Sequence, residues 1–487
     1  GRTISLDFRQ GYNNKVGESN LNSVNNYFGV NPKVDTLNQF ADLDIDGWSL
    51  SSNLTYTEPL GEQSRIMLTY RYSYDEDNSD KKTYDFAEST QDYTSINNEL
   101  TNVFKNKYIT HQTGVGYNFN KGRDFFIMAR ANVQWSTLNS DEIFPEPNQV
   151  TQNFINFLPM AMIRYNFDRQ ENLRVFYMGR TQSPSVEQLQ NVIDNSNPLQ
   201  LSIGNPELDQ AYTHRFSARY SKTNTDKATV FYFMLNSSFS DEYIGNATYL
   251  RANDNPIFDD ITLERGTQLT RPVNLSGYWT GNAYSTYGFP LSKIKSNFNI
   301  DLTASFNKIP GLINDEGNTS TNKSVGAGIS LSSNISKYVD FTISTRSNYN
   351  DASNSIQTGT DDTYLNQDSK IKFNVIFPKG IVFRTNITHQ LYTGLSDGFD
   401  DSFFLWTAGI GKKLFKNQRG EITFSVFDML EQNQSITRNV TDTYIEDLRS
   451  KVLQRYMMLT FAYNFKNYNS GKRETETGNE GRRPWKR

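Results

Sequence analysis

The chain has 487 residues, no cysteine and 49 Lys plus Arg against 53 Asp plus Glu, for a formal net charge of −4; this excludes disulfides, thiol chemistry and a nucleic-acid partner held by phosphate neutralisation. Aromatic residues make up 14% and hydrophobic residues only 36%, with a mean hydropathy of −0.66, too polar for a bundle of membrane helices. What remains is a soluble all-β protein or a transmembrane β-barrel, whose lumen tolerates polar side chains. Gly1 is not followed by a charged n-region and apolar h-region, so the chain reads as processed or as an internal fragment.

Period-2 alternation runs along the whole length in stretches that suit a tilted membrane crossing. It predicts about eighteen strands, near 2–12, 48–56, 64–74, 108–119, 124–135, 157–167, 172–180, 211–220, 228–239, 269–287, 294–306, 324–335, 339–349, 370–377, 381–391, 403–414, 421–429 and 452–465. In 64–74, Ile66, Leu68, Tyr70, Tyr72 and Tyr74 oppose Arg65, Met67, Thr69, Arg71 and Ser73. In 296–306, Phe298, Ile300, Leu302, Ala304 and Phe306 oppose Asn297, Asn299, Asp301, Thr303 and Ser305. A dry sandwich core would have to bury that polar row without partners, at about 1–3 kcal/mol per group. The fold class is therefore all-β, a transmembrane antiparallel β-barrel over 1–465.

The connections alternate between short and long. Short ones fall at Thr57–Gln63, Asn120–Arg123, Asp168–Glu171, Ser221–Lys227, Gly288–Lys293, Ser336–Tyr338, Pro378–Gly380 and Phe415–Gly420. The long ones include 13–47, 75–107, 181–210 and 240–268. Tight periplasmic turns and long outer loops produce this asymmetry. The last strand ends on an aromatic, which sets the short turns on the periplasmic side, and Phe119, Phe125, Phe167, Phe377 and Phe415 become an inner aromatic girdle. Segment 75–107 is net acidic, whereas the short turns carry Lys and Arg. The tail 466–487 is polar and basic, read as disordered or lying against a periplasmic partner.

Two stretches carry a family resemblance. Tyr56-Thr57-Glu58-Pro59-Leu60-Gly61 resembles the periplasmic turn of the Bacteroidetes outer-membrane β-barrel family related to TonB-dependent receptors. Arg180-Thr181-Gln182-Ser183-Pro184-Ser185-Val186-Glu187-Gln188-Leu189, followed by Gly204-Asn205-Pro206-Glu207-Leu208, is similar to a loop signature of those barrels, although Asp209-Gln210-Ala211 departs from the usual continuation. The resemblance implies a 22-stranded barrel, a preceding plug domain, a TonB box and the outer membrane of a Gram-negative bacterium. On that reading two hairpins and the plug lie outside this chain. The implied function is TonB-dependent import of a ligand too large for porins, with outer-membrane lipid, the TonB complex, and a surface lipoprotein or another outer-membrane protein as partners. A scaffold barrel within a larger complex and a passive channel are the alternatives.

Candidate binding groups follow from the inward rows and the loops. Arg174, Arg180, Arg215, Arg219, Arg346 and Arg384 face inward by alternation, to guide an anionic ligand, to pair with plug carboxylates, or to form a solvated wall balanced by Asp301 and Asp340. Gln182, Gln188, Asn195, Asn197 and Asn205 in the segment after Arg180 offer amides that bind peptide or sugar without desolvating a full charge. The same residues serve equally to fold that loop into the barrel mouth. Asp42-Leu43-Asp44-Ile45-Asp46-Gly47 matches the first half of a calcium loop, with Asn53 where a bidentate Glu belongs. No other cofactor is expected. No nucleophile elbow, phosphate loop or zinc-protease motif is present, and the three histidines show no constellation, so no enzyme activity is expected. His111 reads as inward, while His214 shares a face with Phe216 and His389 with Ile387.

Overall fold

The computed structural model describes residues 1–27, 33–98, 100–145, 147–189, 191, 193–195, 197, 199–250, 263, 267–333, 335–336, 338–356, 362–395, 398, 401–415, 418–440 and 445–465. The tail 466–487 lies outside the described residues, as do Lys337 and Lys416 in two of the short turns.

Among the described residues, twenty-five strands follow one another. The first eight are β1 (Thr3–Tyr27), β2 (Lys33–Pro59), β3 (Ser64–Ala87), β4 (Asp92–Ile96), β5 (Asn102–Lys121), β6 (Phe125–Phe144), β7 (Asn148–Asn166) and β8 (Glu171–Gln182). A short helix α1 (Val186–Leu189) precedes β9 (Ile193–Asp194) and β10 (Gln200–Ile203). Then come β11 (Ala211–Asn224), β12 (Thr229–Asp241), β13 (Tyr243–Leu250), β14 (Gln268–Leu275), β15 (Tyr278–Leu291), β16 (Ser296–Ile313), β17 (Glu316–Ser333) and β18 (Val339–Asn354). The series ends with β19 (Asp362–Ile376), β20 (Ile381–Thr393), β21 (Asp401–Leu414), β22 (Gly420–Phe427), β23 (Gln434–Val440), β24 (Ile445–Lys451) and β25 (Tyr456–Tyr463).

Eighteen of these form one antiparallel meander, each paired with the next: β1, β2, β3, β5, β6, β7, β8, β11, β12, β15 to β22, and β25. Each overlaps one of the eighteen expected segments, and the eight short turns fall where the sequence placed them. The expected single strand 269–287 is two: Gly277 takes φ +99°, a left-handed conformation that breaks the extended chain between β14, which pairs with β13, and β15, which pairs with β12 and β16. Among the described residues, β1 pairs with β2 alone and β25 with β22 alone, and every residue of β25 is exposed.

The expected loops 13–47 and 75–107 are largely strand, because alternation continues there with its sense inverted. Below Trp48 the outward row of β2 is apolar (Leu50, Leu54) and the inward row polar (Ser51, Asn53); above it Asp46, Asp44 and Asp42 face out and Ile45, Leu43 and Ala41 face in. The inversion marks where hydrocarbon gives way to water outside. Tyr12 packs at a tilt against Trp48 with ring centroids 5.1 Å apart at this height, and Trp279 meets Phe306 at 4.7 Å farther round the wall. At the short-turn end a belt runs through Phe119, Phe125, Tyr165, Phe167, Tyr220 and Phe231, with successive centroids 4.7–6.5 Å apart. Phe415 joins Tyr463 at 5.7 Å in the same belt, and Phe377 is exposed at its turn. Two aromatic levels bracketing an apolar outward band are the signature of a wall built for lipid.

Outside the band, β23 and β24 form a separate hairpin held by Arg438, whose Nε and second guanidinium nitrogen donate to Asp447 at 2.8 and 2.7 Å. Their side chains are 4% and 1% exposed. Arg438→Met is expected to destabilise the hairpin locally, by up to about 3–5 kcal/mol, since it removes the two-pronged guanidinium partner of a buried carboxylate. Hydrogen exchange should show faster exchange in this hairpin and unchanged β16–β20; equal protection of the hairpin in both proteins would contradict the prediction.

Candidate functional site

The segment between β8 and β11 folds back into the long-loop end of the barrel. Leu208, with 0% exposure, and Leu189 pack on Leu138 of β6, flanked by Tyr108, Phe154 and Ile244. Gln210 is the polar pin of this contact: its amide donates to the Tyr108 hydroxyl at 2.6 Å and the Ser183 hydroxyl at 2.9 Å, and accepts from the Asn156 amide at 2.8 Å. A second cluster of Ile203, Ala247, Tyr249, Leu263 and Leu269 joins β10 to β13 and β14. These contacts leave a cavity of about 520 Å³ between the folded segment and the inner faces of β1, β2 and β3.

Leu43, Ile45 and Ser79 line that cavity from the wall, and Gln188, Ser202 and Ile203 line it from the folded segment. Lys81 reaches Asp194 across it at 3.7 Å. Beside it on β3, above the Trp48 level, Asp77 is held above the ordinary carboxylate range, mainly by burial; Lys15 opposes the shift, while Asp46 and Glu187 add to it. Ionised Asp77 therefore opposes folding at pH 7, a penalty that disappears below about pH 4, where folded and unfolded chains are both protonated. Asp77→Asn should raise the thermal midpoint at pH 7 and change it little near pH 4; a pH-independent shift would contradict this assignment.

Two expected ligand residues meet, and the bonds between them are architectural. Ser185 and Gln188 form a capping box at the start of α1, the Ser185 N–H donating to Gln188 Oε1 at 2.9 Å and the Gln188 N–H donating to Ser185 Oγ at 3.3 Å. The Asn205 N–H donates to the Gln188 carbonyl at 2.6 Å, and its side chain binds the Pro272 carbonyl and the Arg271 guanidinium at 3.0 and 2.9 Å. Asn195 donates to Gln39 Oε1 at 3.2 Å, tying the segment to β2, while Asn197 closes a local turn to Gln200 and Leu199. Gln182 ends β8, exposed opposite Ala211. Arg180 lies two residues below it on the lumen row, and Arg174 and Arg215 are lower still. The eight residues thus spread from the mouth to the short-turn end.

Asp42, Asp44 and Asp46 stand on β2, paired on both sides, and do not curl into a loop. Their cross-strand partners on β3 are Lys82, Asp80 and Asn78, with the Asn78 amide donating to Asp46 at 3.0 Å. Alternate residues of a strand are about 6.6–6.8 Å apart, so the three span about 13 Å along a straight strand, too far for all three carboxylates to gather on one ion as a curled loop would bring them. Among the described residues no group of three His, Cys, Asp or Glu side chains gathers to hold a metal. Contrary to the sequence expectation, His111 faces outward: it sits opposite Trp135, with its Nδ1 2.8 Å from the Tyr70 hydroxyl. His214 and His389 occupy the same outward row against Phe239 and Phe404. The cavity-lining Leu43, Ile45 and Ser79 were missed as site residues; the sign change in polarity at Trp48 was the available signal.

Apolar rows outside, polar rows inside, eight tight turns at one end and long excursions at the other define an outer-membrane β-barrel. The chain belongs to the outer membrane protein beta-barrel family, whose sequence profile matches residues 1–463, and its place is the outer membrane of a Gram-negative bacterium. Among curated proteins, none matches. Solved structures with a similar fold include the copper transporter OprC, at 8% identity and TM-score 0.42, with 94% of this chain and 82% of that one covered. They also include the siderophore receptor PirA from Pseudomonas aeruginosa, at 8% identity and TM-score 0.36 over 88% of this chain and 78% of that one. The ferric-catecholate import receptor Fiu from E. coli K12 shows 11% identity and TM-score 0.32 over 94% and 81%.

Proposed function

We propose that this barrel is an uptake receptor, taking a ligand too large for porins into the mouth cavity and passing it through a plugged lumen driven by the TonB complex. The observation that carries the reading is the inward-folded segment at 183–210, which builds a walled cavity of about 520 Å³ above a polar lumen. A wall in lipid must satisfy its backbone N–H and C=O groups by closing into a barrel. Barrels of about twenty-two strands enclose a plugged lumen. The long-loop end is the face for a surface lipoprotein or another outer-membrane partner. Native mass spectrometry of protein purified from outer membranes tests the reading against a cavity-filling variant, Ser79→Trp. Bound material on the wild type and loss of it on the variant is the expected result. Equal retention on both, or a steady ungated conductance in planar bilayers, would overturn it.

A further inference from the structure

The inner wall of β6 to β12 carries guanidinium groups with no carboxylate partner among the described residues. In one cross-strand row Phe126, Arg164, Arg174, Arg219 and Met234 are successive register partners on β6, β7, β8, β11 and β12. Two rows farther from the short turns, Arg130, Met160, Met178 and Arg215 are likewise successive partners. Among the described residues no carboxylate lies within ion-pair distance of these five arginines. Four of them rest on soft neutral groups. Arg164 lies over the Phe126 ring at 5.4 Å and Arg219 over the Tyr232 ring at 5.2 Å. Arg174 Nε points at Met162 Sδ, 3.2 Å away, and Arg130 at Met67 Sδ, 3.8 Å away. Arg130 Nε is buried and has no hydrogen-bond partner. Gly116 opposite it keeps the space open, since a Cβ there would stand 3.0 Å from Arg130 Cγ.

The opposite wall is built differently. Arg346 pairs with Asp301 at 3.5 Å, Lys370 with Asp368 at 3.3 Å, and Arg384 with Glu421. Aromatic faces and thioethers hold a guanidinium in place without cancelling its charge. Three like charges in direct register destabilise a sheet, so the Arg164–Arg174–Arg219 row is at its best with an anion on it. Adjacent strands are about 4.8 Å apart, so the row spans about 10 Å and suits an anion with two or three oxyanion groups. The planar N–H forks match phosphate or carboxylate oxygens in pairs.

We propose that this row is a binding site for small multivalent oxyanions on the lumen wall, near the periplasmic end, with Arg130 and Arg215 as its upper tier. The claim needs only the lumen assignment, so it can fail while the uptake reading stands, and the reverse.

The test is calorimetric titration of inorganic pyrophosphate into the purified full chain in a non-ionic detergent. Wild-type protein should bind saturably, and the affinity should fall with added salt. Arg164→Gln/Arg174→Gln/Arg219→Gln should weaken binding at least about tenfold, while Arg346→Gln on the other wall should leave it unchanged. At low ionic strength without anion the triple variant should melt at or above the wild-type temperature, because it sheds repulsion; a purely structural row would make it melt lower. Arg174→Lys should retain part of the binding. No saturable binding to folded wild type, equal binding by the triple variant, or equal loss in Arg346→Gln would overturn the proposal.

Discussion

Replacing Leu302 by Arg is expected to cost about 2–4 kcal/mol of stability in the membrane, because charge on the lipid face near mid-bilayer is penalised by that amount. Leu302 is 55% exposed at the centre of the outward row of β16, flanked by Ile300 and Ala304. Thr303→Arg, one residue away on the lumen face, should cost far less, since water reaches that row. Urea titration of folding into phospholipid vesicles, scored by the heat-modifiable mobility of the folded band, separates the two. Equal tolerance at 302 and 303 would reverse the assignment of faces.

Leu208→Ala should release the folded segment of the mouth without melting the barrel. Leu208 has no exposed surface and is packed with Leu189 and Leu138, and truncating a fully buried Leu costs about 2–5 kcal/mol. The segment is held by a few contacts of this kind, so the loss should appear as local opening. Hydrogen exchange in 183–210 should rise by orders of magnitude while β16 to β20 keep their protection. An unchanged segment, or a barrel that unfolds with it, would show that the mouth and wall are not the separate units described here.

Much of the wall was legible because a strand in a membrane repeats one physical demand every second residue. Ile66, Leu68 and Tyr70, like Phe298, Ile300 and Leu302, announce the face and the strand together, and the tight turns follow from the gaps. Strand length was less legible. Asp42, Asp44 and Asp46 look like a metal loop because the outward row turns acidic where lipid ends, yet the backbone pairing continues unbroken past Trp48. His111 reads as inward on its strand, yet its parity with Ile109, Val115 and Tyr117 puts it outside. That the amide-rich segment folds into the mouth was legible as one of two readings of its residues, but its contacts were not. Gln210 meets Tyr108 across 102 residues and Asn205 meets Pro272 across 67, and no local pattern encodes such pairings. The guanidinium row is an intermediate case: alternation put Arg174 and Arg219 on the lumen face, but only the register sets Arg164, Arg174 and Arg219 side by side.

Thiol scanning of β16 tests the faces most directly, because the natural chain has no cysteine. Single cysteines placed in turn from 297 to 306, in protein reconstituted into vesicles, are reacted with a water-soluble maleimide and with a lipid-soluble one. Positions 297, 299, 301, 303 and 305 should react with the first, and 298, 300, 302, 304 and 306 with the second, in strict alternation. Uniform labelling by the aqueous reagent, or protection of the odd positions, would mean that the Phe and Ile row does not meet lipid and that this chain is not the membrane wall described above.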